Sequence, residues 1–437
     1  MQRRPHARAE APLLALLTLA ACADPVMVDP PQDCSLTSQN AYVLEVMRHA
    51  YLWNREVPAD VDPAAYESPA DLLRAVRYAE SDRWSRVADK VQSDALFEEG
   101  KFIGFGFSHQ RDGDGRVRVS FVNADSPASR AGLRRGDELV LINSRSIAEI
   151  DAGQLWGEMF GPTELGIGLD LQVLDAAGEA HEVSLTKDWI KMVTVPVVEV
   201  IEQDGRKIGY VLFTSFVEPS VDELDAAFDR LTRAGVRELV VDLRYNGGGR
   251  LSVARHLASL VAGAAGARRE QVYRVEFNED LSDANEVYKF SRLGNAVELD
   301  RVYFLTTWRT LSASELVINA VRPYVDTYVV GGVTGGKPVG SRSFEFCDKI
   351  LFPITFRLVN AVGETDYFSG LPPACPAADD LNHGLGDPKE GTLAAALRLI
   401  RDGTCDVGDG AGAGAPAPAP ERDLYLADPL RAVIGAF

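Results

Sequence analysis

Apolar residues recur at helical spacing in AYVLEVMRHAYLW (41–53) and again in ADLLRAVRYAE (70–80), just after a Ser-Pro start signal. Residues 38–95 therefore read as helices. Near residue 100 the period changes to two: FIGFGFS (102–108) and RVRVSFV (116–122) alternate as half-buried strands do. In SPASRAGLRRGDELVLIN (126–143), Ser126 reads as an N-cap, Pro127 as a first helical residue and Gly132 as a C-terminal stop. Gly136-Asp137 then turns the chain into the strand ELVLI. A helix, AGQLWGEMF, and a strand pair, LDLQVLDAAGEAHEVSL, complete the segment.

From residue 191 to 405 strands and helices alternate: KIGYVLF, VDELDAAFDRLTRAG, ELVVDLRYN, LSVARHLASLVAG, RVYFLTT, a helix opening at Ser312, and finally TLAAALRLI. Such alternation predicts an α/β domain with a largely parallel sheet. The chain as a whole is thus expected to be multidomain α+β. Its parts are an N-terminal helical region (34–99), a β-rich module (100–190) and an α/β domain (191–405). A Gly/Ala/Pro linker (406–420) and a C-terminal tail (421–437) follow.

The N-terminus changes the picture of where the chain resides. Arg3, Arg4 and Arg8 precede the apolar stretch Leu13–Ala21, which ends at Cys22. The stretch falls far short of the ~20 residues a spanning helix needs and reads as a signal-peptide core over residues 1–21. Leu19-Ala20-Ala21-Cys22 resembles a bacterial lipobox, which implies lipidation of Cys22. Residues 22–33 would then tether the fold to the envelope, with Ala23 favouring the outer membrane. A formal charge of −19 excludes a nucleic-acid partner, which wants a basic face.

Setting Cys22 aside leaves Cys34, Cys347, Cys375 and Cys405, an even number in a chain expected to be exported. Four cysteines allow three pairings. Cys347–Cys375 and Cys34–Cys405 are the expected bridges. With no CxxC and the six histidines scattered, no metal site is expected.

The candidate chemistry begins at LSASEL (311–316). Ser312 followed by Glu315 spells a capping box. The same serine at a helix N-terminus could be a nucleophile, since backbone N–H groups there stabilise an anion. A serine needs a base. After one helix and one returning strand, VTGGKPVG offers Lys337, which can serve if burial brings its pKa toward neutrality. Gly331–Lys337 also fits a P-loop, but Pro338 stands where Ser or Thr should hold Mg²⁺, and no helix follows, so no nucleotide is expected. Upstream, VVDLRYNGGGRL (240–251) runs a buried strand into three glycines, a turn able to present N–H donors to an oxyanion.

In that order, the GxGF and SPAxxAGLxxGD module, DLRxNxGG, SASE and the lysine 25 residues beyond its first serine resemble the C-terminal processing (tail-specific) serine proteases over roughly residues 38–405. The resemblance implies a crotonase/ClpP-like α/β protease domain with a Ser312–Lys337 dyad. It also implies oxyanion donors at the N–H of Gly248 and Ala313, and no cofactor. Ser341 stands where the family often has Gln or Glu to orient the lysine, which makes it the candidate third member. Gly247 replaces the family's usual proline.

Residues 100–190 resemble a PDZ domain, whose carboxylate-binding loop would be Phe105, Gly106 and Phe107, with the bound peptide adding as a strand. The expected partners are polypeptides with apolar C-terminal tails, and a membrane reached through the lipid. The chain's own terminus, VIGAF, is an apolar tail of the kind such a groove accepts. The reading is a lipid-anchored serine endopeptidase acting on extended or unfolded polypeptides. The alternative is a catalytically silent, peptide-binding lipoprotein scaffold.

Overall fold

The alternation after residue 191 builds a six-stranded sheet in the order Val197–Gln203, Arg206–Leu212, Glu238–Asp242, Arg301–Thr306, Asp326–Gly331, Cys375–Pro376. Pairings from Arg206–Leu212 onward are parallel, and the Val197–Gln203 edge runs antiparallel. Parallel neighbours need crossovers, supplied by helices Ser220–Ala234, Leu251–Val261 and Ala313–Val321. Side chains alternate between two cores, as the period of two demands. Val211, Val241 and Phe304 face the crossover helices, while Tyr210, Leu212, Val240 and Leu305 face Leu393, Ala396 and Ile400 of the last helix, Gly391–Asp402. Burial on both faces is why ELVVD reads as an unbroken run.

The structure is a computed structural model and describes residues 24–405. The signal peptide, Cys22, the linker 406–420 and the tail 421–437 lie outside the described residues.

The β-rich module has its own core, built on Phe105, Val119, Ile142, Trp156, Leu171 and Leu185. Its sheet runs Phe107–Arg111, Val117–Val122, Glu138–Ile142, Gly168–Leu174, Ala180–Thr186. A second ribbon pairs Lys101–Gly104 with Asp188–Lys191 and closes the module where it begins and ends. FIGFGFS is therefore two strands in two sheets, broken at Gly106, whose φ of 88° and close approach to Ser126 demand glycine.

The N-terminal helices do not form a separate core. Tyr42, Val43, Met47, Leu72 and Trp84 merge with the crossover-helix face of the large domain. Two antiparallel sheets escaped the sequence reading. One runs Glu286–Lys289, Gln271–Phe277, Ile354–Val359, Val339–Ser341; the other runs Arg86–Asp89, Lys349–Phe352, Phe344–Phe346.

The disulfides correct an expectation. The structure pairs Cys34 with Cys347 and Cys375 with Cys405, at Cα separations of 5.9 and 5.4 Å, not Cys347–Cys375 and Cys34–Cys405. The reason is packing. Helix Leu36–His49 lays Tyr42 against Phe346, ring centroids 5.3 Å apart, which brings the residue ahead of that helix to the turn at Cys347. Cys375 sits in the edge strand beneath the last helix, and that helix ends just before Cys405.

Candidate active site

In a parallel sheet the loops leaving adjacent strands open side by side. Asp242 lies opposite Leu305 in register, so the loop after DLRYN and the loop leading to Ser312 are neighbours. They are laced together. Thr310 Oγ1 donates to Leu243 O (2.8 Å), Ser314 Oγ donates to Asn246 O (2.9 Å), and Leu311 N–H donates to the same carbonyl (3.3 Å). The approach is close enough to explain the glycines. A Cβ on Gly248 would lie 2.9 Å from Leu311 O and 3.0 Å from Ala313 N.

Ser312 does not have the backbone of an ordinary N-cap. Ser126 and Ser146 cap their helices from extended conformations, φ −79° and −70°, whereas Ser312 stands at φ 58°, ψ −114°. That region is sparsely populated for a residue with a Cβ and costs on the order of 1–3 kcal/mol. The lacing above over-determines the turn and holds it.

Glu315 is wholly buried. Its Oε2 accepts the N–H of Ser312 (2.9 Å) and the N–H of Lys337 (2.8 Å). Its Oε1 accepts the N–H of Gly336 (2.7 Å) and the hydroxyl of Thr334 (2.5 Å). Burial pushes the Glu315 carboxyl up, and these four donors oppose the shift. The carboxylate half of the capping motif is thus made, and the same oxygen reaches the lysine turn.

Lys337 is 4% exposed, with Nζ 5.8 Å from the centre of the Trp84 ring. Burial pushes its ammonium down to about 7, helped by the cations of Arg86 and Arg83 and opposed by Asp82 and Glu315. A lysine so placed is neutral in a large fraction of molecules near physiological pH and able to accept a proton.

Ser312, Lys337 and Ser341 line one cavity of about 260 Å³. Sequence reasoning missed its other walls: Ser93 and Phe97 from helix Lys90–Glu99, and Arg86, Ile350 and Phe352 from the three-stranded sheet. No motif marks these residues, because they come from segments legible only as secondary structure. Gly248 also departs from expectation, since its N–H donates to Asn246 Oδ1 at 2.9 Å. The signal was there in the sequence: asparagine two residues ahead of glycine favours this turn. Gly249 lines the cavity beside Ser312.

Phe105, Gly106 and Phe107 belong to the β-rich module, away from this cavity. Gly106 O accepts from Asn123 N–H (2.8 Å) and from the Ser126 hydroxyl (3.3 Å). The rings of Phe105, Phe107 and His109 gather on Phe160. Arginines join the module to the large domain, Arg118 among them, which donates to Asn382 Oδ1 (2.9 Å). Arg135 donates to Asp379 Oδ1 (2.9 Å) and to the Tyr245 hydroxyl (2.5 Å), and Arg309 donates to His109 O (2.5 Å). Asp379 also accepts from Arg244 (2.8 Å) and Tyr245 (2.6 Å) of the DLRYN loop.

The order and identity of these parts match known sequence families. The Peptidase family S41 profile matches residues 207–369, spanning both Ser312 and Lys337. The Peptidase S41 N-terminal domain matches residues 38–86, and the PDZ domain matches residues 95–156. The chain carries, in order, the N-terminal and peptidase domains of family S41. Among curated relatives, carboxyl-terminal-processing peptidase 3, chloroplastic, of Arabidopsis thaliana is 26% identical over 275 residues, 61% of this chain and 51% of that protein. Carboxy-terminal processing protease CtpA of Bacillus subtilis is 25% identical over 300 residues, covering 68% and 61%.

The chain thus spans about half to three fifths of the length of the curated relatives it matches. A crystal structure of a putative S41 protease from Bacteroides fragilis superposes with a TM-score of 0.68 at 25% identity, over 83% of this chain and 97% of that one. The photosystem II D1 C-terminal processing protease shares the fold, with a TM-score of 0.50 at 19% identity over 79% and 94%.

Proposed function

We propose that this S41 chain is a serine endopeptidase of the C-terminal processing type, with Ser312 as nucleophile and Lys337 as its base. The observation that carries the reading is the shared Glu315 oxygen, which holds the backbones of Ser312 and Lys337 two hydrogen bonds apart in a cavity both side chains line. The neutral Lys337 amine takes the Ser312 proton as Oγ attacks the scissile carbonyl, then returns it to the leaving amine. Ala313 N–H, at the start of its helix, faces the charge developing on the carbonyl oxygen. Gly249, a cavity-lining neighbour of the engaged Gly248, supplies the second donor. Ser341, also on the wall, is the candidate that orients the lysine.

Polypeptides are the substrates this reading implies. The PDZ domain would recognise C-terminal tails through Phe105, Gly106 and Phe107, and Cys22 would carry lipid on the periplasmic face of a bacterial envelope. Two disulfides among the described residues suit an oxidising compartment. The test is a fluorophosphonate probe together with cleavage of an unfolded protein. The parent chain labels and cleaves, Ser312→Ala does neither, and Lys337→Ala loses cleavage. An inert parent that still binds tail peptides would favour the scaffold instead. Amidating a peptide C-terminus should weaken binding, and incorporation of labelled palmitate should vanish in Cys22→Ser.

A further inference from the structure

One buried hydroxyl in this cavity has no role in the scheme above. Ser93 lies in helix Lys90–Glu99, is 1% exposed and lines the cavity with Ser312 and Lys337. Its hydroxyl has no hydrogen-bond partner among the described residues. A helical serine ordinarily satisfies itself on the carbonyl four residues earlier, as Ser259 does on Arg255 O at 2.6 Å. Ser93 makes no such bond. Burying a hydroxyl without a partner sacrifices its hydration for nothing.

The rest of the lining explains what could complete it. Several of the wall's charges are matched within the protein: Asp94 and Glu345 each lie 2.9 Å from Lys90, and Glu98 pairs with Arg250. Phe97, Leu251, Ile350, Phe352 and Phe356 provide apolar wall. The cavity therefore sets apolar wall and paired charges around a buried, two-way hydrogen-bonding group that no described residue engages. Such a site discriminates strongly between a ligand that carries a matching polar atom and one that lacks it.

We infer that Ser93 is a specificity-determining residue: its hydroxyl hydrogen-bonds the substrate side chain that fills this pocket next to the scissile bond. A hydroxyl or carboxamide side chain is thereby favoured there over an aliphatic one of the same shape. The inference rests on the peptidase reading of Ser312 and Lys337.

Internally quenched peptides that differ only as Thr against Val test it. One pair carries the exchange on the acyl side of the cleaved bond and a second pair on the leaving side. The full chain should prefer Thr at one of the two positions, by about tenfold in kcat/KM for one net hydrogen bond. Ser93→Ala should erase the ratio by slowing the Thr peptide alone, and Ser93→Thr, which keeps the hydroxyl, should retain it. Fluorophosphonate labelling of Ser312 in each variant reports an intact site. Equal turnover of Thr and Val peptides by a labelled parent overturns the inference while leaving the peptidase reading in place. So does a preference that survives Ser93→Ala, or an equal loss on both peptides. A parent that neither labels nor cleaves overturns both.

Discussion

Glu315 and Lys337 meet through the main chain: the carboxylate Oε2 accepts the lysine's own N–H at 2.8 Å while also holding the N–H of Ser312 at 2.9 Å. Lys337 is thus positioned through its backbone. Glu315→Gln keeps the shape but turns an NH₂ toward N–H donors. Each lost charge-assisted bond is worth about 1.5–3 kcal/mol, so the variant should unfold at lower denaturant concentration. Its kcat should also fall at least tenfold, read by peptide cleavage.

Activity should rise with pH. The base works when neutral, and burial places the Lys337 transition at about 7, so kcat/KM should climb through that pH and level off above it. Beside burial, the Arg86 cation disfavours the ammonium. Arg86→Met removes a like charge, so the inflection should move to higher pH. An inflection that stays put would remove Arg86 from the electrostatics of the site.

The same group sets a stability trend. The folded pKa of Lys337 is depressed from 10.5 to about 7, so between those values the unfolded chain binds the extra proton. Stability should therefore increase as pH rises across that window on this residue's account. Lys337→Met, which never charges, should flatten that part of the curve in urea titrations.

Asp379 should behave as a joint. Burial raises its carboxyl, yet Arg135 and Arg244 overcome this and hold it well below the usual carboxylate range. Asp379→Asn leaves two arginines short of a partner, one of them fully buried, and should cost about 3–5 kcal/mol. Arg135→Ala removes the charged partner on the PDZ side and leaves Gln110 donating to Asp379 Oδ2 (2.8 Å). It should expose the joint between the domains to limited proteolysis while the large domain keeps its near-ultraviolet circular dichroism.

Non-reducing peptide mapping should recover Cys34 joined to Cys347 and Cys375 joined to Cys405. Opening either bridge should lower stability by about 2–5 kcal/mol.

The sequence made the Ser312–Glu315 pair and the strand–helix order legible because each is written in local pattern. Ser312 and Glu315 sit three apart, and the apolar runs 207–213, 238–243 and 301–305 match buried parallel strands. What depends on the assembled fold was hidden. Which cysteines meet is decided by Tyr42 packing on Phe346, a contact that spacing does not encode. Arg86, Ser93 and Phe352 join Ser312 only because a small sheet and a helix from ahead of the PDZ domain wall the cavity. Gly248 carried a turn signal from Asn246 that the resemblance to an oxyanion loop overshadowed.

The Cys34–Cys347 bridge ties residues 313 positions apart, so most of the polypeptide between the first helix and the cavity wall forms a covalent ring. A single nick anywhere in that ring, self-inflicted or not, leaves the halves joined. Such damage stays silent on a gel run without thiol and shows as two bands once reductant is added, so integrity of this protein is best judged under both conditions.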